Sequence, residues 1–240
     1  MAQRLLDRQA ELIEYLTSGA AVFGEDGGLV RAPDGFDLGL LRLEAWFSHE
    51  KRLEKIRAVF AKTFEILGTA TGQLVRAFTE ACPPDSIGRL DNARQFHGFL
   101  VARWRNEPPD PPYLPDIAAC ELARAKALAA TGSVEARRER SSVRGVRRAP
   151  GVILLRCAYD VRTIFEAGPG EAIPAARDTP LAIVVPPGAD RPQVFELLPI
   201  VLELLSALDD VTDPAVFGAA EVVEPLIREL VELGLVERQG

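Results

Sequence analysis

Over about the first 130 positions the apolar residues recur every three or four residues, and beyond about position 150 they alternate. The first spacing belongs to helices with one buried stripe, the second to strands. Leu5, Leu6, Leu12, Ile13 and Leu16 share a face with Gln9 and predict an opening helix that stops at Thr17-Ser18-Gly19. The glycine-rich passage around Gly24–Gly28 reads as a loop or a short hairpin. The helical period returns from Leu38 to Leu67, with Leu53, Ile56, Phe60 and Phe64 on the buried face and Gly68 as C-cap. Two more helices are predicted, Thr71–Ala81 and Leu90–Arg105, the first stopped by Pro83-Pro84.

Helix cannot continue through Glu107–Pro112 (EPPDPP), because proline lacks the N–H and constrains the residue before it. Pro115 and Asp116 then suit the first turn of an alanine-rich helix, where a carboxylate meets the positive end of the dipole. Glu121 shares a stripe with Leu114, Ala118, Ala125 and Leu128. A carboxylate there needs a donor, and a structural ion pair with an arginine is the expected solution. Ser133–Pro150 is rich in arginine and poor in large apolar residues, the composition of a tether. Strands are predicted at Val152–Cys157, Tyr159–Phe165, Leu181–Val185 and Val194–Leu197. Helices follow at Ile200–Leu208 and Glu221–Leu233, the latter interrupted or restarted at Pro225; Gly234 then leads into a short strand, Leu235–Glu237. The expected fold class is α+β, with an N-terminal all-helical bundle (1–132), a basic linker (133–150) and a small winged-helix-like α+β domain (151–240).

Composition narrows the class. The chain has 240 residues, 48% hydrophobic and 26% charged, so it can bury a core. No apolar run reaches the roughly 20 residues of a membrane helix, and the acid-bearing N-terminus is unlike a signal peptide. The three scattered cysteines, Cys82, Cys120 and Cys157, fit reduced thiols and a cytoplasmic setting. His49 and His97 are the only histidines and lie in no zinc-binding spacing. Phosphate-binding glycine loops and nucleophile elbows are absent from the sequence. No catalytic residue, metal ligand or cofactor is therefore expected in this chain.

Charge separates the binding roles. Gly151–Gly240 holds six arginines and no lysine against fifteen acidic residues, a net charge of −9. DNA affinity rests on neutralising phosphates, so this half disfavours nucleic acid despite its winged-helix-like pattern. Arg137, Arg138, Arg140, Arg144, Arg147 and Arg148 in the tether could grip phosphate, but no aromatic residues are interleaved to stack on bases.

Some of these segments carry a resemblance. Leu67-Gly68, Phe78, Pro83-Pro84, Phe96 to Leu100, and Pro112-Tyr113-Leu114 through Asp116 to Glu121 follow one another as in the N-terminal domain of a bacterial family long described as DNA-binding. That family includes the partner subunit of methanobactin biosynthesis. The stretch covers about a quarter of the chain, and Leu41–Ile56 departs from the arginine- and tyrosine-rich pattern usual there. Val194–Asp210 and Val222–Glu237 are in turn similar to the winged-helix-like modules that bind leader peptides of ribosomally made natural products. The resemblance implies a non-catalytic partner of an iron-dependent peptide-modifying oxidase, with the iron held by the oxidase. This subunit would bind a precursor peptide, and the alternative is a DNA-binding regulator. The expected peptide-binding residues are Leu181, Ile183, Val185, Val194 and Phe195 on strand edges, and Leu226 and Leu230 on the last helix; the leader would add to an edge by β-augmentation.

Overall fold

The computed structural model describes residues 2–24, 32–134, 145–166 and 173–239. The fold is α+β, and the chain divides into two compact units, Met1–Pro108 and Pro109–Gly240. The glycine-rich passage beyond Gly24 and the tether arginines Arg137, Arg138, Arg140 and Arg144 lie outside the described residues.

The first unit is helical: α1 (Ala2–Leu16), α2 (Gly19–Phe23), α3 (Leu38–Arg57), α4 (Ala61–Leu67), α5 (Thr71–Ala81) and α6 (Arg89–Asn106). Ser18 ends the first helix and starts the second, its Oγ accepting the Ala21 N–H at 3.2 Å. The single helix expected over Leu38–Leu67 is broken at Ala58–Phe60. Val59 and Phe60 both donate to the Ile56 carbonyl, tightening the chain into a turn. Phe60 and Phe64 each meet Phe96, at centroid distances of 5.3 and 5.4 Å, and Phe78 meets it edge-on at 5.0 Å. This aromatic cluster is the unit's core, and no local period could reveal the turn that assembles it.

The second unit begins before the alanine-rich helix, not after it. It contains α7 (Leu114–Val134), β1 (Gly145–Arg148), β2 (Ile153–Tyr159), α8 (Arg162–Glu166), β3 (Ala176–Val184), β4 (Gln193–Glu196), α9 (Pro199–Ala207), α10 (Ala220–Glu232) and β5 (Val236–Gln239). An antiparallel sheet runs in the order β2-β3-β4, and β1 pairs with β5 in a second, two-stranded sheet. Register opposes Leu154 to Ala182 and Ala182 to Phe195. These three side chains and Val184 pack into a core with Val201, Leu205 and Leu208 of α9 and its end, Ile227 and Leu230 of α10, and Val146 and Val236 of the small sheet. Alternation turns Leu155, Cys157, Leu181 and Ile183 to the opposite face. There α7 lies against β2 and β3, presenting Ile117, Ala118 and Cys120, all at 0% exposure.

Three sequence expectations change here. Tyr159–Phe165 is not a strand: β2 ends at Tyr159 and a turn leads into α8. Asp160 stops the strand by turning back to bind Arg162 two residues on. Residues 145–148 of the expected linker form β1, where Arg147 pairs with Glu237 across the sheet and Arg148 with Asp209. Those two arginines are spent on protein carboxylates rather than offered to phosphate. Helix α10 runs through Pro225 without a break, since Val223, Ile227 and Leu230 on either side of it are buried on one stripe. No helix among the described residues is long and apolar enough to cross a membrane.

Candidate functional site

Sheet order decides which expected edges exist. β3 is hydrogen-bonded on both sides, by β2 and by β4, so Leu181 and Ile183 offer no free edge. Both are at 0% exposure, which corrects their place among residues able to touch a peptide. Val185 lies just past the end of β3 and is half-buried. Among the described residues β4 pairs with β3 alone. The Leu197 N–H donates to the Pro180 carbonyl at 2.9 Å. By alternation Phe195 and Gln193 also direct their backbone groups toward β3, while those of Val194 and Glu196 point away from it. The free edge of β4 is thus carried by Val194 and Glu196. Val194 is half-buried on the α7 side; Phe195 packs into the opposite core, where Leu226 is half-buried and Leu230 fully buried.

A charge network that the sequence reading missed sits at this edge. Glu196 of β4 pairs with Arg177 of β3 and with Arg162 of α8, and both arginines also bind Asp160. Arg162 approaches Asp160 through two bonds of 2.8 Å. These guanidinium hydrogen bonds hold the Asp160 carboxyl well below the usual carboxylate range and lower that of Glu196. Beside them the backbone leaves Leu198 and Ile200 exposed at 69% and 71%. The arrangement combines open main-chain groups, a fixed ionic rim and adjacent apolar side chains, which is what a strand-adding peptide requires. Nothing in the sequence spacing joins positions 160, 162, 177 and 196; the register of the sheet does.

On the covered face, Asp116 accepts the Tyr159 N–H at 3.0 Å. Burial raises its carboxyl, and the backbone hydrogen bonds from Tyr159 and Ala158 oppose that rise. Cys120 and Cys157 are buried thiols, each pushed up to about 12 by desolvation. At that value they are inert thiols at neutral pH. Glu121 is 6% exposed, buried as the stripe required. Among the described residues no three His, Cys, Asp or Glu side chains converge to hold a metal ion.

In the helical unit, Arg52 is the buried hub. Its Nε donates to Asn92 Oδ1 at 3.0 Å, one Nη to the Cys82 carbonyl at 2.9 Å and the other to Gln95 Oε1. Asn92 and Gln95 in turn donate to carbonyls of Ser86, Gly88 and Pro83. The loop between α5 and α6 is therefore pinned by three side chains from α3 and α6. Phe78 lies under the guanidinium at 4.4 Å.

No known protein-family model matches this chain, and a search among curated proteins finds no match.

Proposed function

We propose that this chain is a non-catalytic recognition subunit that captures an extended precursor peptide along the outer edge of β4 and presents it to an iron-dependent peptide-modifying oxidase. The open backbone of Val194 and Glu196, on the outer strand of the three-stranded sheet, is the observation that carries the reading. Main-chain hydrogen bonds would supply affinity there, and the exposed Leu198 and Ile200 with the Glu196 rim would supply side-chain contacts. The acidic balance of Gly151–Gly240, net −9, favours a leader carrying lysine or arginine. The pairing with an iron oxidase rests on the Pro112–Glu121 resemblance and on the lack of residues for chemistry in this sequence.

The test is titration of a labelled candidate precursor peptide against the full chain. Val194→Pro removes an outward N–H and is expected to weaken binding about tenfold, the equivalent of about 1.4 kcal/mol. Leu154→Pro alters an outward position on β2, the opposite edge, and should leave binding unchanged if circular dichroism shows both variants folded. Equal loss in the two variants, or none in Val194→Pro, removes β4 as the docking edge.

A further inference from the structure

The helical unit holds a pocket of about 220 Å³ lined by both apolar and cationic residues. Leu16, Val22, Ala45 and Ile87 are apolar. His49, Lys51, Arg52 and Lys55, all from α3, share the lining with Ser48, Thr79, Ser86 and Asn92, and no aspartate or glutamate is among the lining residues. Spacing explains the convergence of Ser48, Lys51, Arg52 and Lys55, which fall on one face of a helix with His49 at its border.

Among the described residues no carboxylate lines this pocket or hydrogen-bonds to Arg52 or Lys55. Arg52 is only 7% exposed, yet its three side-chain hydrogen bonds go to neutral oxygens of Asn92, Cys82 and Gln95. Lys55 donates to another neutral oxygen, the Ile87 carbonyl, at 2.8 Å. Glu50 and Glu54 border a separate groove with Lys51 and Arg57, outside this pocket. Glu50 lies 3.9 Å from Arg57, and Asp91 binds Ser86 and Arg94. Asp85 influences Arg52 through space without bonding to it. A buried cation without a counter-ion is costly, and an anion entering the pocket would offset that cost. Ile87, one of the lining residues, is 89% exposed. His49 is turned edge-on to Phe23 at 5.9 Å, and burial pushes its pKa down, so a neutral imidazole faces the pocket near pH 7.

We propose that this pocket binds an organic carboxylate with a small apolar body, the charged end among Lys51, Arg52 and Lys55 and the body against Leu16, Val22, Ala45 and Ile87. A cavity of about 150 Å³ admits benzene, so the space here suits a body of about six to eight heavy atoms. Inorganic phosphate has no apolar body to cover Leu16, Val22, Ala45 and Ile87. The carboxylate could belong to a free small acid or to the C-terminal residue of a peptide.

The test follows backbone amide resonances of the full chain by NMR during titration with hexanoate, hexanamide, inorganic phosphate, and acetyl-Gly-Gly-Leu as acid and as amide. Hexanoate is expected to shift Ala45, Ser48 and Ile87 saturably, with hexanamide at least about tenfold weaker. Arg52 also anchors the α5–α6 loop, so the diagnostic variants are at the pocket mouth. Lys51→Gln and Lys55→Gln should each weaken hexanoate about three- to fivefold, with changes in the spectrum of the free protein confined to the neighbours of the substituted residue and, for Lys55→Gln, of Ile87. Tighter binding of the peptide acid than of hexanoate assigns the site to a chain terminus, and the reverse to a free acid. Equal affinity for hexanoate and hexanamide, phosphate binding as tight as hexanoate, or no saturable shift by about 50 mM overturns the proposal.

Discussion

Asp116 and Asp160 are both carboxylates of the second unit, but their surroundings push them in opposite directions. Asp116 accepts backbone N–H groups from β2 while paying for burial, so its charge is a burden and its acceptors are the asset. Asp116→Asn should therefore keep or slightly raise stability, whereas Asp116→Ala should cost about 1–3 kcal/mol by orphaning buried donors. Urea denaturation of both variants checks this, and equal losses would count against it. Asp160 has a depressed folded pKa. Its contribution is fully present above the unfolded carboxylate value of about 4 and is lost as pH falls from there toward the folded value. Asp160→Asn should thus flatten the decline in stability of the wild type below about pH 4. An unchanged acid limb of the stability–pH curve would remove Asp160 from the account. At the centre of the other unit, Phe96 contacts Phe60, Phe64, Phe78 and Phe99. Phe96→Ala should cost about 3–5 kcal/mol.

Among the elements, α10 shows how a helix end can set the geometry around it. Gly234 has φ +73°, its N–H bonds the Val231 carbonyl at 3.0 Å, and the Leu235 N–H bonds Leu230 at 2.8 Å. This is the Schellman arrangement, and it aims the chain directly into β5. A Cβ on Gly234 would come within 2.7 Å of Pro187 Cδ as well as forcing a left-handed residue. Gly234→Ala should cost more than about 1 kcal/mol and lower Tm by several degrees. A Tm within 1 °C of wild type would show that the loop at Pro186–Pro187 yields freely. The glycine was legible as a stop in the sequence. Its clash partner, 47 positions earlier in the chain, was not. The break between α3 and α4 has the same character: the apolar stripe runs on through Ala58–Phe60, and only the demand to bring two phenylalanines onto Phe96 turns the backbone.

For the whole molecule, the consequence of greatest practical weight is that α7 belongs to the second unit. The strand face carrying Leu155, Cys157, Leu181 and Ile183 is covered by this helix. A fragment of residues 109–240 should fold, with dispersed amide resonances. One starting at Gly151 lacks both α7 and β1 and would expose side chains whose burial is worth about 1.5–3 kcal/mol each. It should aggregate or remain unfolded, and a well-dispersed spectrum from it would contradict the assignment.

Periodicity and punctuation determined much on their own: most of the helices, the halt at Pro83-Pro84 and at Glu107–Pro112, the change of period near position 150, the burial of Glu121 and the acidic balance of the second half. These are properties of neighbouring residues, and neighbours are what a sequence reports. Tertiary structure alone decided that β3 is central and β4 an edge, that Asp160, Arg162, Arg177 and Glu196 meet, and that cations of α3 line a pocket together with Ile87. An amphipathic period states that a face is buried but not what buries it. Strand order and counter-ion pairing are settled by groups tens of residues apart competing for the same space, and that competition takes place only in the folded chain.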